Sequence, residues 1–141
     1  MITERDNVMR WKPHLPNDCP PEDADLTSGQ VYRLADKADF DEHDFLSYRE
    51  LYPERQWEGV TECVAGGISV YTDIEGIRQL RRRVKSMRRK KVISGILTPN
   101  HGKMKHTPSE THPSHHTWWI PTDEKPWRAF QLVQLNEDDE S

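Results

Sequence analysis

Between Gly76 and Ser109 the chain carries eleven Lys or Arg and no Asp or Glu, and an apolar stripe runs through the start of the same stretch. Ile74, Ile77, Leu80, Val84 and Met87 recur at helical spacing. A helix of this pattern has one face to bury and a neighbouring face that must stay wet. Its charges therefore belong to a rigid element packed on another layer. Thr72 or Asp73 can cap it, and the spacing predicts a helix to about Arg89. At 100° per residue, Arg78, Arg81, Arg82, Lys85, Arg88 and Arg89 fall within an arc of roughly 120° beside the stripe. Arg binds phosphate bidentately, so such a ladder suits a phosphate backbone.

The other nine basic residues and all 24 acidic ones lie outside the window, so a net charge of -4 divides into about +11 and -15. A field acts locally, and this split favours a nucleic acid, a nucleotide or an acidic protein as partner. The competing expectation is a solvated helix paired with the chain's own acidic ends. The surplus of acid elsewhere argues against wrapping of nucleic acid and for a small footprint. Arg81 to Lys91 also resembles a nuclear-localisation patch. The basic helix has no aromatic residue, so any base stacking would fall to Trp118 or Trp119.

The 141 residues suit one domain. Hydrophobic residues are 33% of the chain, which makes for a small core. Five Trp, four Tyr and three Phe must supply much of it. No run has the length of a membrane span, and Met1 to Asp6 shows no apolar leader. A cytoplasmic location is expected, with Cys19 and Cys63 as free thiols. The oligomeric state is not legible.

Residues 1–28 read as an extended arm, because Pro13, Pro16, Pro20 and Pro21 disfavour helix and interior strand. Trp11 and Leu15 can pin it to the body. Residues 29–135 read as the globular domain and 136–141 as an acidic, disordered tail. Within the domain, strands are expected at Gln30–Leu34, Gly67–Tyr71, Val92–Leu97, Lys103–His106, His116–Ile120 and Trp127–Leu135, with a first helix at Asp41–Tyr52. This is an α+β pattern with a five- or six-stranded mixed or largely antiparallel sheet and two helices.

His101, His106, His112, His115 and His116 crowd one segment. His112, His115 and His116 are candidate zinc ligands, with Cys63 the nearest candidate thiolate. Pro113 makes a metal-binding helix there unfavourable. His116 is alternatively a general acid or base beside the cationic helix. His106-Thr107 and His116-Thr117 resemble the paired His-x-Thr motifs of phosphoesterases.

A last pattern combines the strand bearing Tyr32-Arg33 with the strand Gly66-Gly67-Ile68-Ser69-Val70-Tyr71 that leads into a helix. In this order the chain resembles the ADP-ribosyltransferase-like folds that bind NAD. The resemblance implies that Arg33, Ser69 and Tyr71 help to hold the dinucleotide. The late catalytic Glu of that class has no clear counterpart, since Glu124 sits in a turn and Glu137 borders the tail. The residues alone favour a small binding module that presents the basic helix and His-rich loop to a phosphate-bearing or acidic partner. An NAD-binding enzyme and a zinc protein are the alternatives.

Overall fold

The computed structural model describes residues 9–56 and 61–134. The acidic tail, with Glu137, lies outside the described residues. Seven strands form one sheet: β1 (Asp25–Leu26), β2 (Gly29–Ala35), β3 (Ile68–Tyr71), β4 (Lys91–Leu97), β5 (Lys103–His106), β6 (His115–Trp119) and β7 (Phe130–Leu132). Their order is β1-β5-β6-β3-β2-β4-β7, and every pairing is antiparallel. Three helices accompany it: α1 (Tyr48–Leu51), α2 (Glu62–Ala65) and α3 (Ile74–Arg83). No described helix is long and apolar enough to cross a membrane.

The α+β class stands, with one more strand and one more helix than expected. The extra strand, β1, pairs only Asp25 with Met104 and Leu26 with Lys103. Two residues carry no period-2 signal. The extra helix, α2, is one turn capped by the Thr61 hydroxyl.

Both expected helices are shorter than their apolar spacing suggested. Asp41–Tyr52 is two separate turns. Asp41 and Asp44 form one capping box around a 3-10 turn at Glu42–Phe45, and Ser47 and Glu50 form a second that starts α1. Each box satisfies backbone N–H groups at its own helix start, so the second interrupts the first. The basic helix stops at Arg83, and Val84 is extended. Continuing to Arg89 would add the like-charge pairs Arg81, Lys85 and Lys85, Arg89 at four apart, which disfavour a helix. A 3-10 turn at Lys85–Met87 follows instead.

Strand alternation sorts the core into two faces. Val31, Ala35, Ile68, Val70 and Trp118 share one face with Phe45 and Phe130. Trp118 stacks on Phe130 at 6.0 Å, and Phe45 meets Phe130 edge-on at 5.0 Å. Gly95 makes this packing possible, because a Cβ there would fall 2.7 Å from the Phe130 ring. On the opposite face Tyr71, Ile77 and Val92 pack with Tyr32, Leu34 and Leu80 beneath α3.

The N-terminal arm is fastened to the body by a third cluster. Trp119, Cys19 and Ala24 are packed with Trp11, Leu15 and Cys63. Cys19 and Cys63 form a disulfide across a Cα–Cα distance of 5.4 Å, which corrects the expectation of free thiols. Their separation of 44 residues hid the contact. Apolar packing of the arm against α2 creates it. Trp118 and Trp119 are both fully buried, their indole N–H groups donating to the His101 and Cys63 carbonyls. Neither is left as a stacking surface.

One seam in this sheet is thin. β2 pairs with β4 along its whole length, but with β3 only through Tyr32 and Tyr71. Beyond that pair the two strands splay, and a cleft opens there.

Candidate active site

The splayed strands leave backbone groups without ladder partners, and a side chain fills the gap. Arg33 on β2 donates from Nη1 to the Ser69 carbonyl at 2.6 Å and from Nε to the Asp44 carbonyl at 3.0 Å. Its guanidinium lies 6.0 Å from the Phe45 ring centre. Burial pulls its pKa down to about 10, with partial compensation from the neighbouring Tyr48, Asp44 and Tyr71. It therefore remains a cation at neutral pH.

Across the seam, β3 aligns Ser69 with Thr117 and Tyr71 with His115 on β6. Alternation puts all four on the same side of the sheet. The His115 Nε2 atom lies 2.8 Å from Ser69 Oγ. Its Nδ1 lies 2.9 Å from the Thr107 carbonyl and 2.9 Å from Thr107 Oγ1. A carbonyl only accepts, so Nδ1 carries the proton and Nε2 of the neutral ring is left to accept from the Ser69 hydroxyl. Thr107 Oγ1 and Thr117 Oγ1 share a hydrogen bond at 2.9 Å, with either hydroxyl able to donate. Burial lowers the His115 pKa, and although the Thr107 backbone opposes this, the charges of His112, His116 and His106 add to the lowering. Tyr71, edge-on to His115 at 5.4 Å, has its pKa raised by burial.

Arg33, Ser69, Tyr71, His115 and Thr117 all line one open cleft of about 1040 Å³. Tyr48 and Tyr52 form part of its wall, and Met87 and Lys90 bring the end of the cationic stretch to it. Asp36 and Asp44 are the carboxylates on the lining, and both are engaged. Asp36 accepts from Lys90 at 2.6 Å, which holds its pKa below the usual range. Asp44 accepts from the Asp36 and Asp41 backbone N–H groups.

The other sequence candidates are placed differently. His116 points to the opposite face of β6. It stacks near His106, with ring centres 4.8 Å apart, and bonds the Ser114 carbonyl. His106 and His116 are register partners, as are Lys105 and Thr117, but neither histidine lines the cleft. His112 packs edge-on to Tyr71 at 5.9 Å. Among the described residues no three His, Cys, Asp or Glu side chains are grouped to hold a metal ion, and Cys63 is committed to its disulfide.

The cationic ladder is divided. Arg78 and Arg82 both reach Glu75, at 3.2 and 3.6 Å. Arg81 donates to the Arg88 carbonyl and Arg88 to the Arg82 carbonyl, which folds the chain after α3 back on the helix. Lys85, Arg88 and Arg89 lie beyond the helix end, exposed and without a carboxylate within 4 Å among the described residues. Asp23 of the arm takes up Lys105 at 2.9 Å.

Two features of the cleft escape sequence reasoning. His115 stands out only as one of several histidines, because its link to Ser69 depends on β3–β6 pairing. Tyr48 and Tyr52 fall at helical spacing with Phe45, but Phe45 is buried and both tyrosines are about half exposed. The chain matches no family model, no curated protein and no solved structure.

Proposed function

We propose that the cleft binds a nucleotide of the NAD class and that the protein transfers its ADP-ribosyl group to an acceptor. The carrying observation is that Arg33, Ser69 and His115, from three strands of the sheet, line one cleft, with Arg33 donating to the Ser69 carbonyl and His115 facing the Ser69 hydroxyl. Arg33 and Ser69 are the residues that the resemblance to ADP-ribosyltransferase-like folds singles out. Arg33 supplies a cation for a phosphate. His115 stands on a late strand, facing Ser69, with an unprotonated Nε2.

The reaction that fits these parts breaks the glycosidic C1′–N bond. Nicotinamide leaves with the bonding electron pair and becomes neutral. An acceptor hydroxyl bonds to C1′, and its proton passes to Ser69 Oγ as the Ser69 hydroxyl gives its own proton to His115 Nε2. Ser69 orients that histidine, and the Thr107 carbonyl stabilises the imidazolium through Nδ1–H. No carboxylate is needed to take the proton.

The cationic stretch supports a phosphate-bearing acceptor, such as a nucleic acid, as the second substrate. Met87 and Lys90 lie on the cleft, and Lys85, Arg88 and Arg89 continue outward from it. The Cys19–Cys63 bond weighs against the reducing cytoplasm expected from the sequence.

Calorimetric titration with NAD, together with assay of nicotinamide release, tests the reading. Saturable binding that is lost in Arg33→Met supports it. A chain that neither binds millimolar NAD nor releases nicotinamide overturns it. Binding of a nucleic-acid acceptor should fall steeply with salt and with Ala at Arg78, Arg82, Lys85 and Arg89 together. Binding indifferent to both removes the cationic stretch from the function.

A further inference from the structure

The Ser69 hydroxyl is placed differently from those of two other serines in the fold. Ser94 Oγ donates to the Val31 carbonyl at 2.9 Å, and Ser47 Oγ donates to the Glu50 carboxylate at 3.0 Å. Such oxygen acceptors hold a hydroxyl in place without making it reactive, because neither takes up its proton at neutral pH. Ser69 Oγ instead meets a basic nitrogen, His115 Nε2, at 2.8 Å. The contact is more than ladder packing, since the register partner of His115 is Tyr71 and that of Ser69 is Thr117. The imidazole reaches diagonally across the strand pair to the serine.

The base is itself oriented. The Thr107 carbonyl, 2.9 Å from Nδ1, fixes the proton on that nitrogen and would stabilise an imidazolium. A nucleophile, a base within hydrogen-bond reach and a third group that orients the base are the parts that activate a serine. Burial lowers the His115 pKa, so the ring is neutral and able to accept at neutral pH. Ser69 and His115 both line the cleft, and neither is fully buried. Arg33 lines it too, with Nη1 2.6 Å from the Ser69 carbonyl, which puts a positive charge beside the place where an oxyanion would form. Leu46, Leu51 and Leu80 on the same lining suit an apolar acyl chain.

We infer that Ser69 is a nucleophile in its own right and that the cleft splits carboxylic esters through an acyl-serine. This activity goes beyond the nucleotide reading and does not need it, since NAD takes no part. Ser69 Oγ bonds to the ester carbonyl carbon while its proton passes to His115 Nε2. The bond from that carbon to the alcohol oxygen then breaks. The alcohol oxygen keeps the electron pair and takes the proton from His115. Water attacks the acyl group next and gives a proton to His115 Nε2. The Ser69 oxygen leaves with its electron pair and recovers that proton, and the carboxylic acid is released.

The probes are a fluorophosphonate, which a nucleophilic serine attacks at phosphorus with loss of fluoride, and p-nitrophenyl butyrate. Wild-type protein treated with the fluorophosphonate should carry a single adduct, placed on Ser69 by peptide mass spectrometry. It should also release p-nitrophenolate from the ester. Ser69→Ala should lose both properties, and His115→Asn should slow both by about 10²–10⁴-fold. Wild type without an adduct on Ser69 overturns the nucleophile, and that result depends on no variant. Ester cleavage undiminished in Ser69→Ala overturns it as well, because another group would then be attacking. A labelled chain that does not bind NAD overturns only the nucleotide reading, and a chain that binds NAD but takes no label overturns only the nucleophile.

Discussion

His115 Nε2 stands 2.8 Å from Ser69 Oγ, while the other nitrogen of the same ring is fixed by the Thr107 carbonyl. The ring is thus set in one tautomer with its basic nitrogen toward the cleft. His115→Asn is expected to lower nicotinamide release from NAD by about 10²–10⁴-fold. NAD affinity should change far less than turnover. A single-turnover assay beside calorimetry separates the two effects, and equal losses in both would point to binding alone.

The lowered His115 pKa gives the pH dependence a sign. The neutral ring is the working form, so turnover should be flat above the ordinary histidine value of 6.5 and fall on the acid side, below it. Stability follows the same direction. Between 6.5 and the lower folded pKa, the unfolded chain takes up a proton that the folded chain does not, so stability is lost as pH falls. In the His115→Asn variant this part of the acid loss should disappear from urea titrations run across that range.

Arg33 has a structural duty that is independent of any ligand. Arg33→Met would leave the Ser69 and Asp44 carbonyls without their donor at the seam. An unsatisfied buried acceptor costs about 1–3 kcal/mol, so urea denaturation should show a loss of that order. Arg33→Lys should recover part of it without restoring both bonds. An unchanged midpoint in Arg33→Met would mean that the seam does not depend on the guanidinium.

Gly95→Ala drives a methyl group against the Phe130 ring, at 2.7 Å before relaxation. The expected loss is about 1–3 kcal/mol, the usual cost of overpacking. The double change Gly95→Ala with Phe130→Leu should recover some of it. Thermal melts of the two variants decide the matter, and equal melts would deny the contact.

Reduction of the Cys19–Cys63 bond releases the arm from α2. A closed loop of this size is expected to contribute roughly 2–4 kcal/mol. Denaturation with and without dithiothreitol measures it, and a thiol count on protein purified without reductant checks the bond directly. One or more free thiols per chain under those conditions would contradict the pairing.

The parts of the fold that were legible are those with a strong local signal. The stripe from Ile74 to Leu80 announced α3, alternation announced β2, the apolar run from Val92 announced β4, and the turn at Pro99–Gly102 marked the start of β5, each strand to within a residue at either end. What could not be read depends on contacts far apart in sequence. The end of α3 at Arg83 has no Gly or Pro after it to mark it in the sequence. The arm's grip needed the Cys19–Cys63 contact. Arg33, Ser69 and Tyr71 were visible as a pattern, but His115 joined them only because β6 pairs with β3. The exposure of Tyr48 and Tyr52 could not be read for a plainer reason: helical spacing shows that residues share a face, not whether that face is covered.

The single Tyr32–Tyr71 pair at the seam also governs when the cleft comes into being. β2 gains its full-length partner only with β4, and β3 only with β6. Each wall is completed by chain that leaves the ribosome later. Arg33 and Ser69 are synthesised early, but the sheet that aims them is assembled only after His115 and Thr117 have appeared. A nascent chain therefore carries Arg33 and Ser69 before the strand that faces them, and the lining of the cleft is complete only when the last third is made.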